Sequence, residues 1–101
     1  MSKKITITFA ESALGDLEDV LEYYREQQVP HIGEKLVGNV IQDVELLAEQ
    51  PDMGRIVPEF DLKYLRELIR PPFRIVYRRD RNKIRVVRVW RSERLMVLSD
   101  A

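Results

Sequence analysis

The chain has 101 residues, 45% of them apolar, with four Gly, five Pro and no Cys, which is the make-up of one folded domain and not of a disordered or disulfide-built chain. A single histidine, His31, and no thiol leave too few ligands for a zinc site, and no apolar stretch approaches the ~20 residues of a membrane span. The net charge of zero hides a division: residues 1–50 carry 4 Lys/Arg against 10 Asp/Glu, residues 51–101 carry 13 against 7, and residues 62–94 carry 12 against 3.

Ile5, Ile7 and Phe9 alternate with Thr6 and Thr8, the period of a half-buried strand. Thr8 and Glu11 have the spacing of a capping box, which predicts a helix start there. Leu14, Leu17, Val20, Leu21 and Tyr24 then recur at helical spacing, and acidic residues cover the remaining surface. Pro30 suits the first turn of a second helix, whose stripe runs Ile32, Leu36, Val40, Ile41, Val44, Leu47 and Ala48 and stops before Pro51. The short connection makes the two helices an antiparallel hairpin.

Pro51–Gly54 reads as a turn, and the stretch to Leu62 as irregular, since Pro58 opposes a central strand. Tyr64–Arg70, Phe73–Arg79 and Ile84–Trp90 are β-rich and are separated by Pro71-Pro72 and by residues 80–83, as in an antiparallel meander. The second and third of these carry apolar residues at both parities, which places them centrally with both faces covered. The expected fold is α+β: an antiparallel sheet of about four strands with the N-terminal helical hairpin on one face, in the order β-α-α-β-β-β. Residues 1–101 form a single domain, and the expected location is the cytoplasm.

The charge division points to an anionic or acidic partner for the second half. Two solvated faces attracting each other across the fold are the plain alternative. The preference for Arg over Lys favours the partner, because the planar guanidinium suits phosphate and carboxylate. The candidate basic surface is Arg66, Arg70, Arg74, Arg78, Arg85, Arg91 and Arg94. Strand parity groups Arg74 with Arg78, and Arg85 with Arg91. Arg74 stands out because a central strand is a costly place for an unused charge.

No phosphate-cradling glycine loop, nucleophile elbow or metal-ligand cluster is present in the sequence, so no metal or other cofactor is expected. Arginine stabilises a phosphodiester under attack but does not move protons. Proton transfer would fall to Glu59, Glu67, Tyr77 or His31. Each has a structural alternative: a solvated loop carboxylate for Glu59, a cross-strand ion pair for Glu67, core packing for Tyr77 and simple exposure for His31.

The segments A-L-G-D-L-E-D-V (13–20), P-D-M-G-R-I-V-P-E (51–59), R-E-L-I (66–69), F-R-I-V-Y-R (73–78) and V-W-R-S-E-R-L (89–95), in this order, resemble the RelE/ParE superfamily of bacterial toxins. These are the toxin halves of type II toxin–antitoxin pairs, associated with growth arrest and plasmid stabilisation. The resemblance implies two possible activities, RelE-like cleavage of messenger RNA on the ribosome and ParE-like inhibition of DNA gyrase. On the ribonuclease reading it marks Glu59, Arg74 and Arg91 as catalytic candidates. Yet the lysines of RelE fall opposite Leu65 and Glu67, the usual histidine of the last strand is Arg91, and a tyrosine expected beyond Arg94 is replaced by Leu95-Met96-Val97-Leu98. That deficit, with the two long helices, favours the ParE-like branch; an inert homologue that only binds antitoxin is a further alternative. The resemblance also implies a cognate antitoxin as partner and contact with operator DNA only through that antitoxin. In the ParE-like branch the C-terminal segment from Arg94 is expected to contribute to action.

Overall fold

The computed structural model describes residues 5–91; Arg94 and the C-terminal segment lie outside them. The elements are β1 (Thr6–Phe9), α1 (Glu11–Glu26), α2 (Pro30–Leu46), β2 (Arg55–Ile56), β3 (Leu65–Arg70), β4 (Phe73–Arg79) and β5 (Lys83–Arg91). They make one five-stranded sheet in the order β1-β5-β4-β3-β2. β1 runs parallel to β5, and the remaining pairs are antiparallel. The expected α+β architecture is therefore present with one strand more than foreseen. The fifth strand is two residues long, in the stretch read as irregular, and lies at the edge just before Pro58, where a proline breaks no ladder.

The helices pack on the face that holds Leu68, Phe73, Ile75, Tyr77, Ile84, Val86 and Val89. α1 contributes Ala13, Leu17 and Val20, at i, i+4 and i+7, and α2 contributes Val40 and Val44, with Leu47 at its C-cap. Each of these Leu and Val side chains is worth about 1.5–3 kcal/mol on full burial. Leu14 and Ile32, expected inside, are 46% and 39% exposed. Ala13 takes the inner place of Leu14 because a small residue lets α1 lie close to the sheet. Gly33 does the same between helices: a Cβ there would stand 3.1 Å from the Cβ of Tyr24.

The start of α1 differs from the expectation. Ala10 is its N-cap, with no side-chain bond to the first turn, because Thr8 is in register with Arg85 in the β1–β5 ladder. Where β1 ends, α1 continues to satisfy the edge of β5. The Ala10 N–H donates to the Val86 carbonyl at 2.8 Å, the Ser12 hydroxyl to the Val87 carbonyl at 2.7 Å, and Asp16 accepts the Val89 N–H at 2.8 Å. Side chains of α1 thus take up edge groups of β5 that a longer β1 would have paired. At its other end α1 closes with Gln28 at φ 64°, its N–H bonded to the Arg25 carbonyl and the Val29 N–H to that of Tyr24. This is the Schellman arrangement, and Pro30 follows at the first turn of α2 as predicted. Among the described residues no helix is long and apolar enough to cross a membrane.

Candidate functional site

Residues directly opposite in a ladder share a face. On the face away from the helices, Arg74 sits between Ile69 on β3 and Trp90 on β5; the next rows are Glu67–Val76–Arg88 and Leu65–Arg78–Arg85. The register of β4 against β5 shifts at Val76/Tyr77, where Val87 has no ladder partner. A bulge of this kind reverses the parity of everything beyond it. Arg91 consequently lies opposite Phe73, on the helix side, whereas Arg85 faces away. Their equal parity in sequence does not bring them together. Arg91 donates to the Tyr24 hydroxyl at 3.3 Å and lies near the Tyr23 and Phe73 rings.

The centre of the outer face is a cluster of two carboxylates and two arginines. Glu67 is 1% exposed, and a carboxylate so buried requires cationic partners. It has two: Arg74 Nε donates to its Oε1, and Arg55 Nε donates to its Oε2 at 2.7 Å. Local geometry sets both, since Arg55 is directly opposite Glu67 across β2–β3, and Arg74 lies diagonally across β3–β4. The other edge of Arg74, Nη2, donates to Glu59 Oε1 at 2.6 Å. That bond holds the Glu59 carboxyl below its usual range and raises the Arg74 guanidinium further. Val57 and Val76 are buried outside the main core cluster, so this face has a small apolar layer of its own.

The remaining candidates are dispersed. Tyr77 is fully buried; its hydroxyl accepts the Gly54 N–H at 3.0 Å and donates to the Pro51 carbonyl at 2.8 Å. Burial pushes its pKa up. Gly54 has no alternative there, because a Cβ would stand 2.6 Å from the Glu67 carbonyl oxygen and 2.8 Å from the Tyr77 ring. Arg66 donates to the Gly54 carbonyl at 2.9 Å and shares Asp52 with Arg79. Arg70 pairs with Asp43 of α2 at 3.5 Å. Arg78 stacks on Tyr64 and pairs with Asp80, with Arg85 exposed opposite it. His31 is exposed at the start of α2.

The family model described as "ParE toxin of type II toxin-antitoxin system, parDE" matches residues 7–96. The chain belongs to this family. It is a type II toxin of the RelE/ParE superfamily, and its fold agrees with solved structures of the group. A chain of the chromosomal ParDE system from P. aeruginosa is 23% identical, with a TM-score of 0.72 over 89% of this chain and 98% of its own. A chain of the RelBE2 toxin–antitoxin complex from Mycobacterium tuberculosis is 19% identical, with a TM-score of 0.61 over 90% and 94%. No curated protein matches the sequence.

Two features of the ParE-family toxin escape a reading by residue type. Arg55 joins the cluster from a strand of only two residues, too short to carry a periodic signal. Arg88 is held by both oxygens of Asp16, at 2.8 and 2.9 Å, and stacks on Trp90. Asp16 raises its pKa. The A-L-G-D segment carrying Asp16 is visible in sequence, but its partner lies 72 residues away.

Proposed function

We propose that this ParE-family toxin arrests growth by inhibiting DNA gyrase and is neutralised by a cognate, acidic antitoxin, through which alone it meets operator DNA. The observation that carries the reading is the double engagement of Arg74. Glu67 and Glu59 occupy its two edges, and both carboxylates are thereby committed as ion-pair partners. Glu59, its carboxyl held below the usual range by that guanidinium, is a weak proton acceptor, and Glu67 is enclosed between Arg74 and Arg55 with a side chain that has no exposure to a substrate. Tyr77, the remaining acid–base candidate on these strands, has its hydroxyl engaged on both sides. The basic face is better suited to holding an acidic partner than to proton transfer, which favours gyrase inhibition over RelE-like cleavage.

Two assays on the purified toxin test this: gyrase supercoiling of relaxed plasmid, and toeprinting of messenger RNA on translating ribosomes. Inhibited supercoiling with intact message is expected. Site-dependent cuts with normal supercoiling would replace this reading with the ribonuclease one, and no effect in either would favour an antitoxin-binding homologue.

A further inference from the structure

We infer that Glu59 is a built-in stand-in for a carboxylate of the acidic partner, which docks by taking over its place on the outer edge of Arg74. This deepens the reading above and rests on its acidic partner. The two edges of Arg74 are unequal. The Nε edge meets Glu67, whose side chain has no exposure, and is fixed from below. The Nη2 edge meets Glu59, whose side chain is 55% exposed and lies between β2 and β3 outside any strand. Breaking the first contact leaves the buried Glu67 with only the exposed Arg55 to offset its charge, whereas breaking the second returns an exposed carboxylate to water at little cost. Arg74 is therefore a cation already oriented by Glu67, with an exchangeable oxyanion on its open side.

The surroundings select a peptide carboxylate over a phosphate chain. In its own row Arg74 is flanked by Ile69, 42% exposed, and by the half-buried Trp90, and Phe60, next to Glu59 in the chain, is 56% exposed. The other cations of the adjoining rows, Arg55 and Arg88, pair with carboxylates that are themselves buried, Glu67 at 0% and Asp16 at 12% side-chain exposure, so neither has an exchangeable partner as Arg74 has in Glu59. Arg78 lies four residues along β4 from Arg74, or about 13 Å, and Arg85 is opposite Arg78. One acidic side chain between apolar ones fits this pattern; a run of phosphates would meet one cation and two apolar walls.

Trp90 is the only tryptophan in the chain and adjoins Arg74, so its emission reports occupancy. The probe is a helical peptide presenting Leu, Glu and Leu at four-residue spacing, titrated into the full-length toxin. Its Gln counterpart and an oligo-dT strand serve as rivals. Removing the resident competitor in Glu59→Gln should tighten peptide binding about two- to fivefold, the range of an exposed ion pair. The Gln peptide should lose most affinity, and Glu59→Gln combined with Arg74→Lys should show no gain. Circular dichroism verifies that each variant is folded. Unchanged or weaker binding by Glu59→Gln, equal binding of the Gln peptide, or stronger quenching by oligo-dT would overturn the inference. Supercoiling is read separately: its failure removes the gyrase target without touching the exchange at Arg74, and an unchanged Kd does the reverse.

Discussion

Glu67 and Arg74 meet beneath the outer face, the carboxylate buried and the guanidinium donating to it through Nε while Arg55 takes the second oxygen at 2.7 Å. Removing Arg74 leaves the buried Glu67 carboxylate with only the largely exposed Arg55 opposite it. Arg74→Ala should therefore destabilise in urea denaturation, by less than the ~3–5 kcal/mol of a fully uncompensated buried charge. Arg55 is itself 61% exposed, so Arg55→Ala should cost distinctly less. Pairing Arg74→Met with Glu67→Leu should recover most of the loss, because the buried, under-compensated carboxylate is then removed as well. If Arg74→Ala abolishes toxicity without changing the denaturation midpoint, the arginine acts on the target and not on the fold.

Glu59 gives the outer edge of Arg74 a pH dependence. Its folded-state pKa is below the ordinary 4.5, chiefly through the Arg74 hydrogen bond, so the unfolded chain binds this proton more tightly. The stabilisation is complete above the unfolded value and is lost as pH falls through the lowered folded one. The carboxylate is largely exposed, so the effect is small. The melting-temperature gap between wild type and Glu59→Gln should be present at pH 7 and close well below pH 4.5. A gap that persists unchanged in acid would mean that Glu59 stabilises by some route other than its charge.

Tyr77→Phe tests whether that hydroxyl is structural. The change leaves the Pro51 carbonyl and the Gly54 N–H without their partner in a buried site, which should cost about 1–3 kcal/mol. Amide exchange at Gly54 should accelerate while growth arrest persists at temperatures where the variant stays folded. Lost toxicity with native stability would return Tyr77 to a chemical role.

The helical hairpin, the meander and the basic character of β3–β5 were legible because hydrophobic period and turn residues are local signals. The direction of β1 was not, since its partner β5 begins 77 residues after it and side-chain alternation looks the same in either orientation. The grouping of Arg85 with Arg91 failed for a comparable reason. An unbroken β-rich run gives no sign that Val87 is bulged out, yet that one residue sends Arg91 to the helix side. Arg74 was found by the cost of a charge in a central strand, an argument that needs no register. Its partners needed the fold: Glu67 was recognisable as a salt-bridge residue, but Arg55 could be placed opposite it only once β2 was known.

Gln28 adopts a left-handed φ of 64° that costs a non-glycine residue about 1–2 kcal/mol. It is exposed, and its backbone bonds do not depend on the side chain. Gln28→Gly should retain the Schellman closure and raise the melting temperature, by less than the full strain because glycine also gains freedom in the unfolded chain. A lowered melting temperature would show that the Gln side chain contributes a stabilising contact to the hairpin.

Asp16 ties helix to sheet. It accepts the Val89 N–H at 2.8 Å and both forks of Arg88, and its side chain is 12% exposed. The amide is one that a longer β1 would have paired, and β1 ends at Phe9 because the chain must turn there into α1. Asp16→Ala should cost about 1–3 kcal/mol by orphaning that donor, and hydrogen exchange at Val89 should become faster relative to Ile75 in the sheet centre. Asp16→Asn keeps an acceptor oxygen for the amide but loses the charge that holds Arg88. It should preserve much of the Val89 protection while freeing Arg88, which separates the edge-pairing role from the ion pair. Equal exchange at Val89 in all three proteins would show that the sheet, and not the helix, protects this amide.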